Sequence, residues 1–291
     1  MGTTIDGIGL AAASLRHRKS ALHLADVAST RAIADAGLAP NDIDLLVNCG
    51  LYRDRNLGEP ALAALVQEDV GINQGDPHDG AHGTFSFDLA NGASGVLTGL
   101  QIIDRFARAG TIRHGLVVAS DADPGHHLAD AFPFTPAGAA VVCGWTDGDR
   151  GIGAMRWLSS SEEPASFRAT VGQESGRNRL EFHIDDAYYE RAGTTAAKVA
   201  VQVLDDDGLR TEDVDVVVFA SADAALVRSF VDHSGFSGEQ LIVPGDARLH
   251  TSAIIVAFDA ARASGRLSTG AVALFVCASA GINAGACLYR V

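Results

Sequence analysis

Lysine is almost missing from this chain. Of its 22 basic residues only Lys19 and Lys198 are lysines, against 36 acidic residues, for a formal charge of −14. A field of that sign repels phosphate backbones, so no nucleic-acid partner is expected. Aromatic residues are also scarce, at 6%. No apolar run approaches the roughly 20 residues that a bilayer requires, so no membrane partner is expected either. Cysteine occurs at Cys49, Cys143, Cys277 and Cys287. Each stands among apolar or small residues without metal-ligand spacing, and they read as buried, reduced thiols. Met1–Asp6 has no basic region followed by an apolar one, so no secretion signal is expected and the cytoplasm is the expected compartment. Low-complexity tracts are absent.

Alanine, glycine and valine dominate what is there, with 47% of the chain apolar. That composition suits a tightly packed α/β protein. The chain also repeats itself. The stretch from Gly37 through Asp42, Asp44 and Val47 returns from Gly208 through Asp213, Asp215 and Val218, each time after an alanine-rich helical segment. A second pair, Leu100–Gly110 leading to Val117, is echoed by Phe258–Gly265 leading to Val272. Two repeats in the same order mean two similar half-folds.

Apolar periodicity and turn residues predict the elements. In the first half, strands are expected at 5–12, 44–47, 85–89, 116–119 and 139–143, with helices at 21–36, from Pro60, and after Gly95 through Ala107. In the second half, helices are expected at 189–204, 224–233 and 251–263, with strands at 214–219, 241–243, 272–276 and 284–291. Polar residues 159–179 read as the join, which divides the chain into halves 1–165 and 166–291. Alternating strands and helices imply mostly parallel sheets with helices on their faces.

Several segments resemble, in order, those of ketoacyl synthase III enzymes of the thiolase superfamily. They are Phe87-Asp88-Leu89-Ala90-Asn91-Gly92-Ala93-Ser94-Gly95, the Gly/Ala segment Phe134–Val142, Thr251-Ser252-Ala253 with Phe258-Asp259-Ala260-Ala261 and Gly265-Arg266-Leu267, and the closing turn Ala278-Ser279-Ala280-Gly281. The resemblance implies a duplicated α/β fold: two stacked mixed sheets in an αβαβα layering. It also implies acyl-CoA or acyl-carrier phosphopantetheine as substrate, with no other cofactor.

That family's enzymes load an acyl group onto a cysteine at a helix start, where the helix dipole favours the thiolate. A histidine and an asparagine then assist decarboxylative condensation. Alignment on the same segments puts Ala93 at the cysteine, Ala220 at the histidine and His250 at the asparagine. An alanine has no lone pair with which to attack a thioester.

Two functional readings follow. In one, the chain is a non-catalytic subunit of fatty-acyl or polyketide-type metabolism. It would form a homodimer, or a heterodimer with a catalytic ketosynthase paralogue, and would meet an acyl carrier protein. In the other, it is an acyltransferase or thioester hydrolase in which Ser94 attacks and His250 serves as base. Asn91, Gly92, Asp223, Ser252 and Gly281 are expected to line the pocket, and Asp223 to orient a partner or stand as a solvated carboxylate. The clusters His78/Asp79/His82 and Asp121/Asp123/His126/His127 lack zinc spacings, so no metal is expected. Gly92, Gly95 and Gly99 are wrongly spaced for a dinucleotide fingerprint.

Overall fold

The computed structural model of the chain describes residues 2–13, 20–56, 58–75, 83–125, 127–129, 131–160 and 166–291. The first sheet has the order β1 (Gly2–Ala12), β5 (Ala137–Thr146), β4 (Gly115–Asp121), β2 (Leu45–Asn48), β3 (Phe85–Asp88). The second has the order β6 (Gly151–Ser159), β12 (Asn283–Arg290), β11 (Val272–Ser279), β9 (Val216–Phe219), β10 (Leu241–Ile242). Strand directions agree position by position. In both sheets the three strands at one end run parallel, and the remaining two add antiparallel. The sequence repeat is therefore a repeat of topology.

Alternating side chains sort these strands into layers. Leu45, Val47, Val117 and Ala119 face a central core, which they share with Val216, Val218, Phe275 and Cys277 of the other sheet. That core is filled by the apolar faces of α3 (Gly95–Arg108) and α6 (Ala253–Ala263). Leu46, Leu116 and Val118 face outward against α1 (Ala21–Asp35) and α2 (Leu62–Val70). Val217, Leu274 and Val276 face α4 (Tyr188–Asp207) and α5 (Ala224–Ser234). The layering is αβαβα, as expected.

The repeated acidic turn has the same job in each half. Asp42 accepts from Ala39 N–H, and Asp213 from Arg210 N–H, each at 2.8 Å. Two residues on, Asp44 accepts from the backbone at Arg113 and His114 ahead of β4, while Asp215 accepts from Val272 N–H at the start of β11. These carboxylates fix where a central strand begins.

Three strands differ from expectation. β6 was not foreseen, and it belongs to the second sheet, so the chain changes sheets between Thr146 and Gly151, ahead of the join placed at 165–166. The polar stretch holds a hairpin, β7 (Phe167–Glu174) and β8 (Arg177–Ile184). Its turn has positive φ at both Ser175 and Gly176, the backbone twist that a two-residue hairpin favours. β7 is exposed along most of its length, so its composition reads as loop. Helix α2 starts at Leu62 rather than Pro60, because the Asp88 carboxylate, supplied from β3, accepts from Leu62 and Ala63 N–H. No helix among the described residues is long and apolar enough to cross a membrane.

Candidate active site

A cleft opens where the halves meet, at the ends of β9 and β11 and the start of α3. After β3 the chain makes a 3₁₀ turn, Gly92–Ser94, that leads directly into α3. Gly92 has φ +51°, the left-handed region that favours glycine, and a Cβ there would lie 3.4 Å from Ser279 Cβ and 3.6 Å from His250 Nε2. Ala93 follows on the cleft wall. Ala220 comes from the end of β9, where its N–H donates to Val276 O at 2.9 Å. Ala93, Ala220 and His250, the three positions that the resemblance aligns with a catalytic triad, line this one cleft of about 60 Å³.

His250 has the most developed surroundings. Its Nδ1 lies 3.3 Å from Oδ2 of Asp121, at the end of β4. The same oxygen accepts from Thr251 N–H at 2.9 Å and Thr251 Oγ1 at 2.6 Å. The other carboxylate oxygen accepts from Leu51 and Tyr52 N–H. Burial pushes the Asp121 carboxyl up, but the neighbouring His250 and these hydrogen bonds outweigh it and hold the group below the usual carboxylate range. Phe134 stacks on the imidazole with ring centroids 4.2 Å apart, and Tyr52 lies against it at 5.4 Å. Phe134 is placed by Thr135, which bonds Arg248 O and the Asp246 carboxylate.

The serine proposed from the sequence is elsewhere. Ser94 is fully buried and is not part of the cleft lining. Its hydroxyl makes no hydrogen bond among the described residues but lies near the Cys277 thiol, where it partly offsets the burial that pushes that thiol up to about 11. The structure therefore does not bring Ser94 and His250 together. A 3₁₀ turn rotates successive side chains by about 120°, so Ala93 lines the cleft and Ser94 is buried in the core.

The other expected residues divide. Asp223 lines the cleft, but its carboxylate caps α5 by accepting from Ala225 and Leu226 N–H. Asn91 donates to Thr98 Oγ1 and accepts from Asn283. Ser252 is buried at the start of α6, and Gly281 holds φ +73° in the turn between β11 and β12. None of these last three is among the residues lining the cleft. Asp121, considered in the sequence only as a metal ligand, is turned onto His250 and Thr251, and Asp123 accepts from Gly125 N–H. His78, His82 and His126 lie outside the described residues.

Tyr52, Phe134, Tyr188, Tyr189 and Ser279 were missed as site residues. The sequence carried one usable signal for Ser279, a hydroxyl within a turn otherwise made of alanine and glycine. All four cysteines are buried, and none lines the cleft. Cys49 donates to Gly95 O behind α3, and Cys277 to Gly285 O. Burial pushes the Cys49 thiol far up, which leaves it no thiolate to react with.

Comparison with known proteins matches residues 204–291 to the family described as 3-oxoacyl-[acyl-carrier-protein (ACP)] synthase III, C terminal. A β-ketoacyl-[acyl-carrier-protein] synthase III of Erythrobacter litoralis is 30% identical over 286 residues, covering 92% of this chain and 83% of its own. That of Thiobacillus denitrificans is 27% identical over 278 residues, with the same coverage. Among solved structures, the 3-oxoacyl-[acyl-carrier-protein] synthase III of Aquifex aeolicus superposes with a TM-score of 0.82 at 20% identity, covering 100% of both chains. A priming β-ketosynthase from a polyketide biosynthetic pathway superposes at 0.81 and 19% identity, covering 99% of this chain and 96% of its own.

Proposed function

Since the chain belongs to the β-ketoacyl-[acyl-carrier-protein] synthase III family, we propose that it is a non-condensing member of fatty-acyl or polyketide-type metabolism, a subunit that pairs with an active ketosynthase paralogue. One observation carries this reading. The cleft where Ala93, Ala220 and His250 meet offers methyl groups at two of the three positions, and no thiol in its lining. Without a sulfur nucleophile the cysteine-bound acyl intermediate does not form.

A second feature supports association. β3 ends the first sheet, and no further strand pairs with it among the described residues. Phe85 on that strand is 59% exposed and meets Phe87 ring to ring at 5.3 Å. An open strand edge carrying an exposed aromatic residue is a surface that soluble proteins normally cover. A second copy or the paralogue would cover it, and an acyl carrier protein would deliver to the assembly, in a cytoplasmic setting.

Co-expression with a family member that retains the Cys-His-Asn set tests the reading. The expected result is co-purification in a fixed ratio, and no condensation of acyl-CoA with a malonyl carrier by this chain alone. Condensation by the isolated chain would refute it.

A second reading, transfer or hydrolysis of an acyl thioester, is supported by the buried carboxylate behind His250, which is the arrangement that orients a general base. Ser94 does not serve it. The two readings are compatible in one subunit.

A further inference from the structure

Within that second reading, on which the following rests, a nucleophile has to be found. Ser279, the last residue of β11, is 3% exposed and lines the cleft. Its Oγ is buried and has no hydrogen-bond partner among the described residues. A buried hydroxyl left unpaired costs about 1–3 kcal/mol, and its place in a cleft lining points to a group that arrives from outside. Across the cleft stands His250. Asp121 is an acceptor only, so Nδ1 must carry the proton of the neutral ring and Nε2 is left with its lone pair. Nε2 has no hydrogen-bond partner among the described residues, and it flanks the same point in front of Gly92 as the Ser279 Cβ does. A base of this kind reaches its proton directly or through one water, and such bonds are often long before substrate binds.

We propose that Ser279 is an acyl-accepting nucleophile, with His250 as its general base and Asp121 as the residue that positions the imidazole. The substrate class is a short-chain acyl thioester, because a 60 Å³ cleft holds only a handful of water-sized groups. In the first step Ser279 Oγ bonds to the thioester carbonyl carbon as its proton passes to His250 Nε2. The C–S bond then breaks, and the sulfur leaves with that proton. The acyl group remains as an oxygen ester on Ser279. In the second step water, or an acceptor hydroxyl, attacks the ester while His250 takes its proton, and Ser279 Oγ recovers that proton as the acid or new ester departs. No oxidant, metal or further cofactor enters the balance.

Intact-protein mass of the full chain, incubated separately with acetyl-, butyryl- and octanoyl-CoA, tests this. The expected result is a single acyl increment with the two shorter substrates. It should map to Ser279 by peptide fragmentation, resist neutral hydroxylamine as an oxygen ester, and be absent from Ser279→Ala. His250→Asn should slow its formation 10²- to 10⁴-fold. Ser279→Cys, which keeps the side-chain size should the alanine variant fold poorly, should take the same increment in hydroxylamine-labile form. An increment mapped to any other residue, or coenzyme A release undiminished in Ser279→Ala, would overturn the assignment of Ser279 while leaving acyl transfer standing. No increment and no coenzyme A release with any of the three substrates would overturn both.

Discussion

Asp121 and His250 stand 129 residues apart in sequence and 3.3 Å apart in space, one from each half of the molecule. The carboxylate is almost fully buried and accepts five hydrogen bonds, from Leu51, Tyr52, His250 and, twice, Thr251. Asp121→Asn places an amide N–H₂ against donors and removes the charge. We expect it to cost about 3 kcal/mol, seen as a lowered urea midpoint. The folded-state carboxyl lies below its ordinary value of 3.8, so the stability it contributes is present above that value and is lost as pH falls through the folded value. The deficit of Asp121→Asn relative to wild type should therefore be full at neutral pH and shrink on strong acidification.

Ala93→Cys restores a thiol at the opening of α3, facing the cleft and the free side of the His250 ring. In a Ser279→Ala background it should take up one acyl group from acyl-CoA as a hydroxylamine-labile thioester, visible by intact mass. Condensation with a malonyl carrier should stay absent, because Ala220 supplies no imidazole. Recovery of condensation on adding Ala93→Cys would show that Ala220 and His250 are not limiting.

Asp26 on α1 is half-buried and lies beside Asp69 of α2. Burial first, then the charge of Asp69 and the hydrogen bond that protonated Asp26 donates to it, push the Asp26 carboxyl from 3.8 up to about 7. A raised carboxyl stabilises the fold when protonated. Its contribution is full below 3.8 and is lost as pH rises through about 7. Asp26→Asn should flatten this slope: its urea midpoint relative to wild type should rise between pH 5 and pH 8. An unchanged difference across that window would refute the pair.

Phe85→Lys places a charge on the open edge of β3, a device that sheet edges use to repel further strands. The chain should remain folded, since Phe85 is mostly in solvent. Association with a ketosynthase partner or a second copy should weaken at least tenfold by light scattering or analytical ultracentrifugation. Undisturbed association would move the interface elsewhere.

The duplication was legible because it is written in local chemistry. Asp42 and Asp213 close identical turns from within four residues, and Gly37 and Gly208 end the preceding helices at φ +70° and +69°. The sheet-forming runs were legible for the same reason, since Leu45–Asn48 and Val216–Phe219 are buried on both faces. The hairpin of β7 and β8 was less so. Its alternation of Ala169 and Val171 with charged and polar residues was masked by the polar surroundings, although Ser175-Gly176 marked the turn. Gly7 and Gly9 gave no hint of their role. The backbone of α1 lies against β1, and a Cβ on Gly9 would meet Ala28 O at 2.0 Å.

Sequence by itself determined that this protein is two similar halves and that an alanine stands at the mouth of α3, because both facts are properties of residue order and type. The tertiary structure alone decided that Ser94 is buried in the core near Cys277, while Ser279 and His250 line the cleft. It alone decided that a carboxylate from the first half stands behind a histidine of the second. Side-chain direction and partnership across more than a hundred residues depend on how layers stack, and no local pattern of residues encodes that.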